Sequence, residues 1–393
     1  MEHKLRQWTL VERWKADIES YKNGGATVSA PMCEMCKYFI KGNVFHCKKY
    51  EGSNEKPKYV VFPKKECPEF KHFNPIIFDF EKREKGTIFS GIFGFIVGDA
   101  VGVPVEFSTR EERKIDPVKE MRAYGTYHQP YGTWSDDTSL TLCLLENITE
   151  GYYLDGLSEK FIKYYTEGYL TPYGKLFDIG NSTRLSIEKM LKGENPIECG
   201  GNTEMDNGNG SLMRVLPLAY YLKETPPMEK IKIIEDVSSL THAHNRSKLA
   251  CIIYVEYAIN LIKGNSKSDA YRQTINFIDK YCYKDYNEEM NNYKRILDGN
   301  IAIYKQDEIK STGYVVDTLE ASLWAFITTD NYKEAVLKGI NLGEDTDTIA
   351  AIIGGLAGIF YGISSIPDTW LQSLARKRDI YEMVEKFASR LNV

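Results

Sequence analysis

The chain has 393 residues, 42% of them hydrophobic and 27% charged, which is typical of a globular protein with a large core and more than one structural unit. Its net charge of −5 argues against a general nucleic-acid-binding protein, because such proteins contact phosphates with an excess of Lys and Arg. No secretory leader is evident, and the apolar run from Ile349 to Ile363 is shorter than the roughly 18 residues of a membrane span, so we expect a cytoplasmic protein without a membrane partner.

Residues 1–80 are predicted to form a module separate from a larger domain over 86–393. The module opens with an amphipathic helix over 4–22, on which apolar residues recur at helical spacing. Four of the eight cysteines follow in a C-x2-C, C-x10-C, C-x19-C series, and they are Cys33, Cys36, Cys47 and Cys67.

Cysteines of a cytoplasmic protein are reduced, so this cluster favours a structural Zn²⁺ site with four thiolate ligands, for which His46 is a substitute ligand. An iron–sulfur cluster and unligated thiols are the alternatives. We also expect that the module has a protein partner.

From Gly86 onward the hydrophobic pattern has a helical period, and no period-2 strand series or βαβ alternation is evident. The predicted helices cover 86–106, 137–149, 157–168, 181–192, 211–223, 228–240, 244–263, 267–281, 288–305, 317–329, 331–341, 348–362 and 368–391. Glycines spaced for close helix packing occur in the first of them. The predicted fold class is all-α, a compact multi-helix bundle.

Two turns combine acidic and hydroxyl side chains directly before an apolar helix. One contains Ser135, Asp136 and Asp137, and the other contains Asp345 and Asp347. Either turn alone is typical of a helix N-cap. Because carboxylates at the mouth of a buried helix repel one another and lose solvation, the two turns together favour a site for a hard metal ion.

Four further sites carry polar groups at the ends of predicted helices or between them. Glu106 ends the first helix, and Asp178 precedes the N-cap of a later one. The glycine-rich segment 208–211 runs into a helix, an arrangement in which backbone N–H groups bind phosphate. His242 and His244 open another helix, where a capping or substrate-contact role is favoured over metal binding.

In their order along residues 86–365, these motifs resemble those of the ADP-ribosylglycohydrolase family, which includes nitrogenase-regulating glycohydrolases and ADP-ribosyl-arginine hydrolases. The matching segments are Gly98–Gly102 with Glu106, Trp134–Thr138, Phe177–Asn181, Gly208–Arg214, Thr241–His242, Gly313–Thr318 and Asn341–Thr348. The resemblance implies an all-α enzyme with two Mg²⁺ or Mn²⁺ ions that hydrolyses the bond between ADP-ribose and its acceptor.

The resemblance also implies roles for individual residues. The implied metal ligands are Ser135, Asp136, Asp137, Asp345, Asp347 and Thr348. Glu106 and Asp178 are the implied catalytic carboxylates. The implied substrate contacts are Asn209, Gly210 and Ser211 for the pyrophosphate, His242, and Tyr314 for the adenine. Two residues depart from the family pattern, Ser135 for the commoner threonine and Glu344 for the usual glycine.

The expected function is removal of ADP-ribose from modified protein side chains, with arginine as the favoured acceptor. The alternatives are a non-catalytic ADP-ribose-binding or adaptor protein, and a hydrolase of nucleic-acid or small-molecule ADP-ribose adducts. An unrelated di-metal hydrolase such as a phosphoesterase is a further alternative, although such sites often include histidine ligands.

Overall fold

The structure is a computed structural model that describes residues 36–40, 47–50, 67, 69–72 and 74–393. The predicted helix over 4–22, Cys33 and His46 lie outside the described residues. The predicted division into a module over 1–80 and a domain over 86–393 therefore stays a prediction.

Within the described residues the fold consists of fifteen α-helices joined by loops and 3₁₀ turns, and these residues form no β-sheet. The helices are α1 (Arg83–Gly102), α2 (Arg110–Ile115), α3 (Asp136–Glu150), α4 (Leu154–Glu167), α5 (Asn181–Leu191), α6 (Leu216–Tyr221), α7 (Pro227–Ser239), α8 (Asn245–Ile262), α9 (Lys267–Tyr281), α10 (Lys294–Leu297), α11 (Val315–Ile327), α12 (Tyr332–Ile340), α13 (Thr346–Tyr361), α14 (Asp368–Ser373) and α15 (Lys377–Arg390). The predicted all-α fold class is confirmed.

Two of the predicted helices are wrong as continuous elements. The segment 288–305 contains only the short helix α10 between 3₁₀ turns, and Gly299 after it has a left-handed φ of +77°. The segment 368–391 is divided into α14 and α15, because Arg376 between them adopts a left-handed φ of +52°. A left-handed residue cannot continue a right-handed helix.

Helices α1 and α13 form the centre of the core, and their backbones touch. A Cβ atom on Gly98 would lie 2.0 Å from the carbonyl oxygen of Ala350, and one on Gly102 would lie 2.4 Å from the Cα of Asp347. Glycines four residues apart share one face of α1, so this face can approach α13 without side chains between them. The contact brings the C-terminal half of α1 against the first turn of α13.

Helix α1 is apolar enough to resemble a membrane span. Within Arg83–Val105, the most apolar window of 18 residues has a mean hydropathy of 1.8, and all of it is buried inside the protein. Apolar residues around the whole circumference are typical of a central helix. The apolar composition of α1 is therefore explained by its position in the core.

The segment before α1 packs against the C-terminal helices. The side-chain amide of Gln372 donates to the carbonyl of Ile76 at 2.9 Å and accepts from its N–H at 2.9 Å. Lys377 Nζ lies 2.9 Å from His72 Nε2, and the ring of Phe78 packs edge-on against that of Phe93. These contacts attach the residues that follow the cysteine series to α1, α14 and α15.

Candidate active site

The two acidic turns lie at the N-termini of α3 and α13 and meet in the structure. Ser135 is the N-cap of α3, and its Oγ accepts a hydrogen bond from the backbone N–H of Asp137 at 3.3 Å. Asp345 is the N-cap of α13, so Asp347 and Thr348 lie in the first turn of that helix. Thr348 Oγ1 donates to Asp137 Oδ2 at 3.3 Å, which joins two turns that are 211 residues apart in sequence.

Asp99 of α1 is absent from the predicted site residues, yet it organises the first acidic turn. Its Oδ2 accepts hydrogen bonds from the backbone N–H groups of Ser135 and Thr138, each at 3.1 Å, and from Thr138 Oγ1 at 2.5 Å. Burial raises the pKa of Asp99 to about 7, while these hydrogen bonds act in the opposite direction. The available signal in the sequence was that Asp99 and Glu106 are the only acids of a predicted core helix.

Carboxylates from four segments lie close enough together to hold metal ions. Ligand atoms of Asp99, Asp137 and Asp347 lie within 4.8 Å of one another, and so do those of Glu106, Asp345 and Asp347. Among the described residues, Asp137 Oδ1, Asp345 Oδ1 and Glu106 Oε2 are buried without a hydrogen-bond partner. Buried unpaired carboxylate oxygens are costly, and divalent cations would satisfy them. The donor set consists of oxygens, as Mg²⁺ and Mn²⁺ prefer, so these residues fit such ions.

The same acids are electrostatically unfavourable without a cation. Burial raises the pKa values of Asp136, Asp137 and Asp347 well above the ordinary range, and neighbouring carboxylates raise them further. Burial also raises the pKa of Asp345, although a hydrogen bond from Asn209 opposes this effect. A divalent ion among these groups would favour their ionised forms.

Glu106 and Asp178 face this cluster and share a hydrogen-bonding partner, Tyr127. Burial, followed by the charges of Asp178 and Asp345, raises the pKa of Glu106 to about 9, and a hydrogen bond with Tyr127 lowers it. Burial raises the pKa of Asp178 to about 6, and a hydrogen bond with Tyr127 again opposes the shift. Beyond Asp178, the N–H of Gly180 donates to Asp136 Oδ2 at 3.3 Å, so this loop packs on the first acidic turn.

The glycine-rich loop 208–211 is connected to the second acidic turn. Asn209 Nδ2 donates to Asp345 Oδ2 at 2.7 Å, and the Asn209 N–H donates to the carbonyl of Gly313 at 3.1 Å. A Cβ on Gly210 would lie 2.8 Å from the ring of His242, so only glycine allows this approach. Burial, with a smaller effect of Arg214, lowers the pKa of His242 to about 3, and its ring is therefore neutral.

A cleft of about 360 Å³ opens over these groups. The predicted site residues that line it are Glu106, Asp136, Asp137, Asp178, Asn209, Gly210, His242, Asp345, Asp347 and Thr348. Residues outside the prediction also line it, including Phe107, Thr183 and Met213. One depression therefore contains both acidic turns, both candidate catalytic carboxylates and the glycine-rich loop.

Three predicted site residues lie behind or beside the lining. Ser135 is buried under Asp137, to which its Oγ donates at 3.0 Å. Ser211 is fully buried, and its Oγ accepts a hydrogen bond from Ser238 Oγ at 2.9 Å, so only its backbone could face a ligand. Tyr314 lies beside the glycine-rich loop, and the guanidinium of Arg246 is 5.9 Å from the centre of its ring.

Comparison with known proteins agrees with this arrangement. The model of one family, ADP-ribosylglycohydrolase, matches residues 82–392, which include every residue of the cleft. The chain belongs to the ADP-ribosylglycohydrolase family. Enzymes of this family are glycosidases that act on ADP-ribose adducts, so the predicted enzyme class is confirmed.

Curated relatives of the family cover most of the chain. ADP-ribosylarginine hydrolase Tri1 of Serratia proteamaculans (strain 568) is 33% identical over 344 residues, which are 86% of this chain and 85% of the relative. ADP-ribosyl-[dinitrogen reductase] glycohydrolase of Rhodospirillum rubrum is 28% identical over 74% of this chain and 92% of its own. A solved structure of an ADP-ribosylglycohydrolase-related protein complex has a TM-score of 0.64 at 24% identity, over 79% of this chain and 100% of that chain, which supports the fold.

Proposed function

We propose that this enzyme hydrolyses the glycosidic bond between the anomeric carbon of ADP-ribose and an arginine side chain of a modified protein. The observation that carries the proposal is the contact between Asp137 and Thr348, which unites two acidic turns beneath one cleft and leaves buried carboxylate oxygens without partners among the described residues. Arginine is favoured as the acceptor because the relative with 33% identity is named an ADP-ribosylarginine hydrolase.

Two Mg²⁺ or Mn²⁺ ions are part of the proposal. Their proposed ligands are Ser135, Asp136, Asp137, Asp345, Asp347 and Thr348. Asp99 holds the backbone of the first acidic turn by accepting a hydrogen bond from the N–H of Ser135. A bound divalent ion supplies Lewis-acid chemistry, since it stabilises negative charge on oxygen and lowers the pKa of water. Metal binding would also offset the repulsion among the buried carboxylates.

Glu106 and Asp178 are the proposed catalytic carboxylates. Breaking the bond to the anomeric carbon develops oxocarbenium-like positive charge, which ionised carboxylates at the cleft stabilise. Burial and the neighbouring carboxylates raise the pKa of Glu106 to about 9, so a divalent cation bound nearby would be needed to ionise it. Its Oε2, buried without a partner among the described residues, would then accept a proton from the attacking water. Tyr127 hydrogen-bonds to both carboxylates and holds them in position.

The glycine-rich loop is the proposed site of the pyrophosphate. Asn209 and Gly210 line the cleft, and Ser211 would contribute its backbone N–H, because its hydroxyl faces the core. Arg214, fully buried behind the loop, donates to the carbonyl of Gly210 and places positive charge near the anion. Tyr314, which pairs with Gly208 through the backbone, is proposed to contact the adenine.

The test is to incubate the full-length protein and Mg²⁺ or Mn²⁺ with peptides that carry ADP-ribose on arginine or on serine, and with nucleic-acid and small-molecule adducts. Mass spectrometry would identify the released products. We expect release of free ADP-ribose and unmodified arginine peptide, with loss of turnover after chelation. Binding of ADP-ribose in calorimetry without release from any substrate would instead indicate the non-catalytic alternative.

A further inference from the structure

Phe107 is an exposed aromatic residue on the lining of the active-site cleft. It directly follows Glu106, and 67% of its surface is accessible to solvent. Its backbone adopts a left-handed φ of +61°, a conformation that bulky residues rarely adopt. An exposed apolar ring buries little surface and therefore contributes little to the stability of the fold. Backbone strain at such a residue is concentrated at functional sites.

The backbone of this segment is fixed to the loop of the second acidic turn. The N–H of Phe107 donates to the carbonyl of Glu344 at 2.7 Å, and the N–H of Glu344 donates to the carbonyl of Ser108 at 2.7 Å. Glu344 is itself left-handed, with φ at +62°. Because two hydrogen bonds join the segments that contain these strained residues, the backbone of Phe107 is fixed relative to the second acidic turn.

The ring of Phe107 belongs to a row of aromatic side chains. Its centre lies 6.3 Å from that of Tyr127 at an interplanar angle of 60°, and Tyr127 lies 5.3 Å from Phe177 at 63°. Tyr127 in turn hydrogen-bonds to Glu106 and Asp178. Phe107 is therefore the solvent-exposed end of a row that leads to the candidate catalytic carboxylates.

The surroundings of Phe107 differ from those of the glycine-rich loop. That loop packs against Thr183, His242 and Gly313, whereas Phe107 contacts Tyr127 and the backbone of Glu344. The face of an aromatic ring carries negative electrostatic potential, so it attracts cations and does not attract a pyrophosphate. A planar guanidinium both stacks on a ring and is attracted by it, in addition to the attraction of the nearby carboxylates.

We propose that Phe107 determines specificity for the acceptor by stacking on the guanidinium of the ADP-ribosylated arginine. This inference rests on the proposed function, because it assumes that an arginine adduct is the substrate. The ring would contact the arginine side chain, which is the leaving group and is absent from free ADP-ribose. Loss of the ring should therefore weaken recognition of the adduct and leave the binding of ADP-ribose unchanged.

The experiment compares Phe107→Ala, Phe107→Leu and Phe107→Tyr in the full chain with Mg²⁺. We expect kcat/KM for an ADP-ribosyl-arginine peptide to fall about tenfold in the Ala and Leu variants, since a cation–π contact contributes on the order of that factor and leucine lacks the π face. Phe107→Tyr should stay within about threefold of the wild type because it keeps the ring. Inhibition by ADP-ribose, measured on the same variants, should be unchanged.

Tyr283→Ala is the matched control, because Tyr283 is also an exposed aromatic residue, at 58%, and lies outside the residues that line the cleft. An Ala variant that keeps wild-type kcat/KM, a Leu variant that restores it, or a parallel loss of ADP-ribose inhibition would overturn the assignment. A wild-type protein that releases nothing from the arginine peptide would refute the proposed function itself, and that outcome is distinct from any result on the variants.

Discussion

At the scale of single residues, Asp99 has the clearest structural reason for its position. It is fully buried in α1 and accepts hydrogen bonds from Ser135 and Thr138, which flank Asp136 and Asp137. One carboxylate thus fixes the backbone of the turn that presents two others. A buried acid of this kind costs stability, and its hydrogen bonds offset part of that cost, as a cation bound by the cluster would also do.

Substitution of Asp99 by Asn tests this role. The amide keeps the shape of the side chain, but it cannot accept all of the hydrogen bonds from Ser135 and Thr138, and it removes one negative charge. We expect the affinity for Mn²⁺ to fall by about 10–100-fold, the usual effect of losing a group that orients metal ligands. Isothermal titration calorimetry would measure it.

The thermal midpoint provides an independent readout of the same variant. Without metal, removal of the buried charge and loss of hydrogen bonds from buried N–H groups act on stability in opposite directions, so the midpoint of the metal-free protein is not the test. The increase in midpoint on adding Mn²⁺ should be smaller than in the wild type. Asp307→Asn, at a side chain that is 81% exposed, is the control and should behave as the wild type. Unchanged Mn²⁺ affinity in a folded Asp99→Asn protein would be incompatible with the role.

Some residues of the site depend on contacts between distant segments, which local sequence patterns do not contain. Tyr127 lies in the 3₁₀ turn Gly125–Tyr127, and its hydrogen bonds to Glu106 and Asp178 join it to residues that are distant in sequence. The acids of α3 and α13 could be predicted because they stand at the start of apolar helices. The inward orientation of the Ser211 hydroxyl could not, since it depends on the packing of Ser238.

At the scale of elements, local periodicity predicted most helices, but it did not predict where they break. The predicted helix over 267–281 coincides with α9, which has a capping Ser266 and a regular apolar face. The division between α14 and α15 occurs at Arg376, a residue type with no preference for a left-handed backbone. Contacts with other parts of the chain determine where this break occurs, and one of them is a hydrogen bond from the Arg376 guanidinium to the carbonyl of Thr171.

The contact between α1 and α13 leads to a prediction about elements. In Gly98→Ala the new methyl group would meet the carbonyl of Ala350 at 2.0 Å, so the two helices must separate. We expect a loss of about 1–3 kcal/mol, as for other overpacked cores, and weaker Mn²⁺ binding because Asp99 and Asp347 move apart. Thermal unfolding and Mn²⁺ calorimetry would measure the two effects.

Gly86→Ala is the matched control in the same helix. A Cβ there would have no neighbour closer than 3.5 Å, from the ring of Phe80, which is ordinary contact. Because alanine favours helix by up to about 1 kcal/mol over glycine, this variant should be neutral or slightly stabilising. Equal midpoints for the two alanine variants would show that the close approach at Gly98 does not limit stability.

At the scale of the whole molecule, the cysteine-containing segment is joined to the end of the helical domain. His72, which pairs with Cys36 through the backbone, contacts Lys377 of α15, and Ile76 exchanges two hydrogen bonds with Gln372 of α14. Among the described residues before α1, the buried apolar side chains are Cys47 and Ile76. Small segments with little buried apolar surface are commonly stabilised by a covalent or metal crosslink.

A bound zinc ion is the crosslink we expect. Each of Cys36, Cys47 and Cys67 has a carbonyl that accepts the N–H three residues later, at 3.0–3.1 Å, so each begins a tight turn. Burial raises the pKa of the Cys67 thiol, and the nearby thiols of Cys36 and Cys47 raise it further, whereas Zn²⁺ would hold all of them as thiolates. Together with Cys33, which lies outside the described residues and precedes Cys36 by three positions in the sequence, they would supply the four ligands that we predict.

Metal analysis of the purified protein by mass spectrometry should therefore find about one zinc per chain, in addition to any Mg²⁺ or Mn²⁺. Cys36→Ser should lose the zinc but keep the Mn²⁺ affinity of the cleft, because the two sites use different residues. Cys282→Ser removes a buried thiol of the helical domain and should keep the zinc. Zinc-free wild-type protein, or a Cys36→Ser variant that retains stoichiometric zinc, would show that these cysteines are structural thiols without a metal.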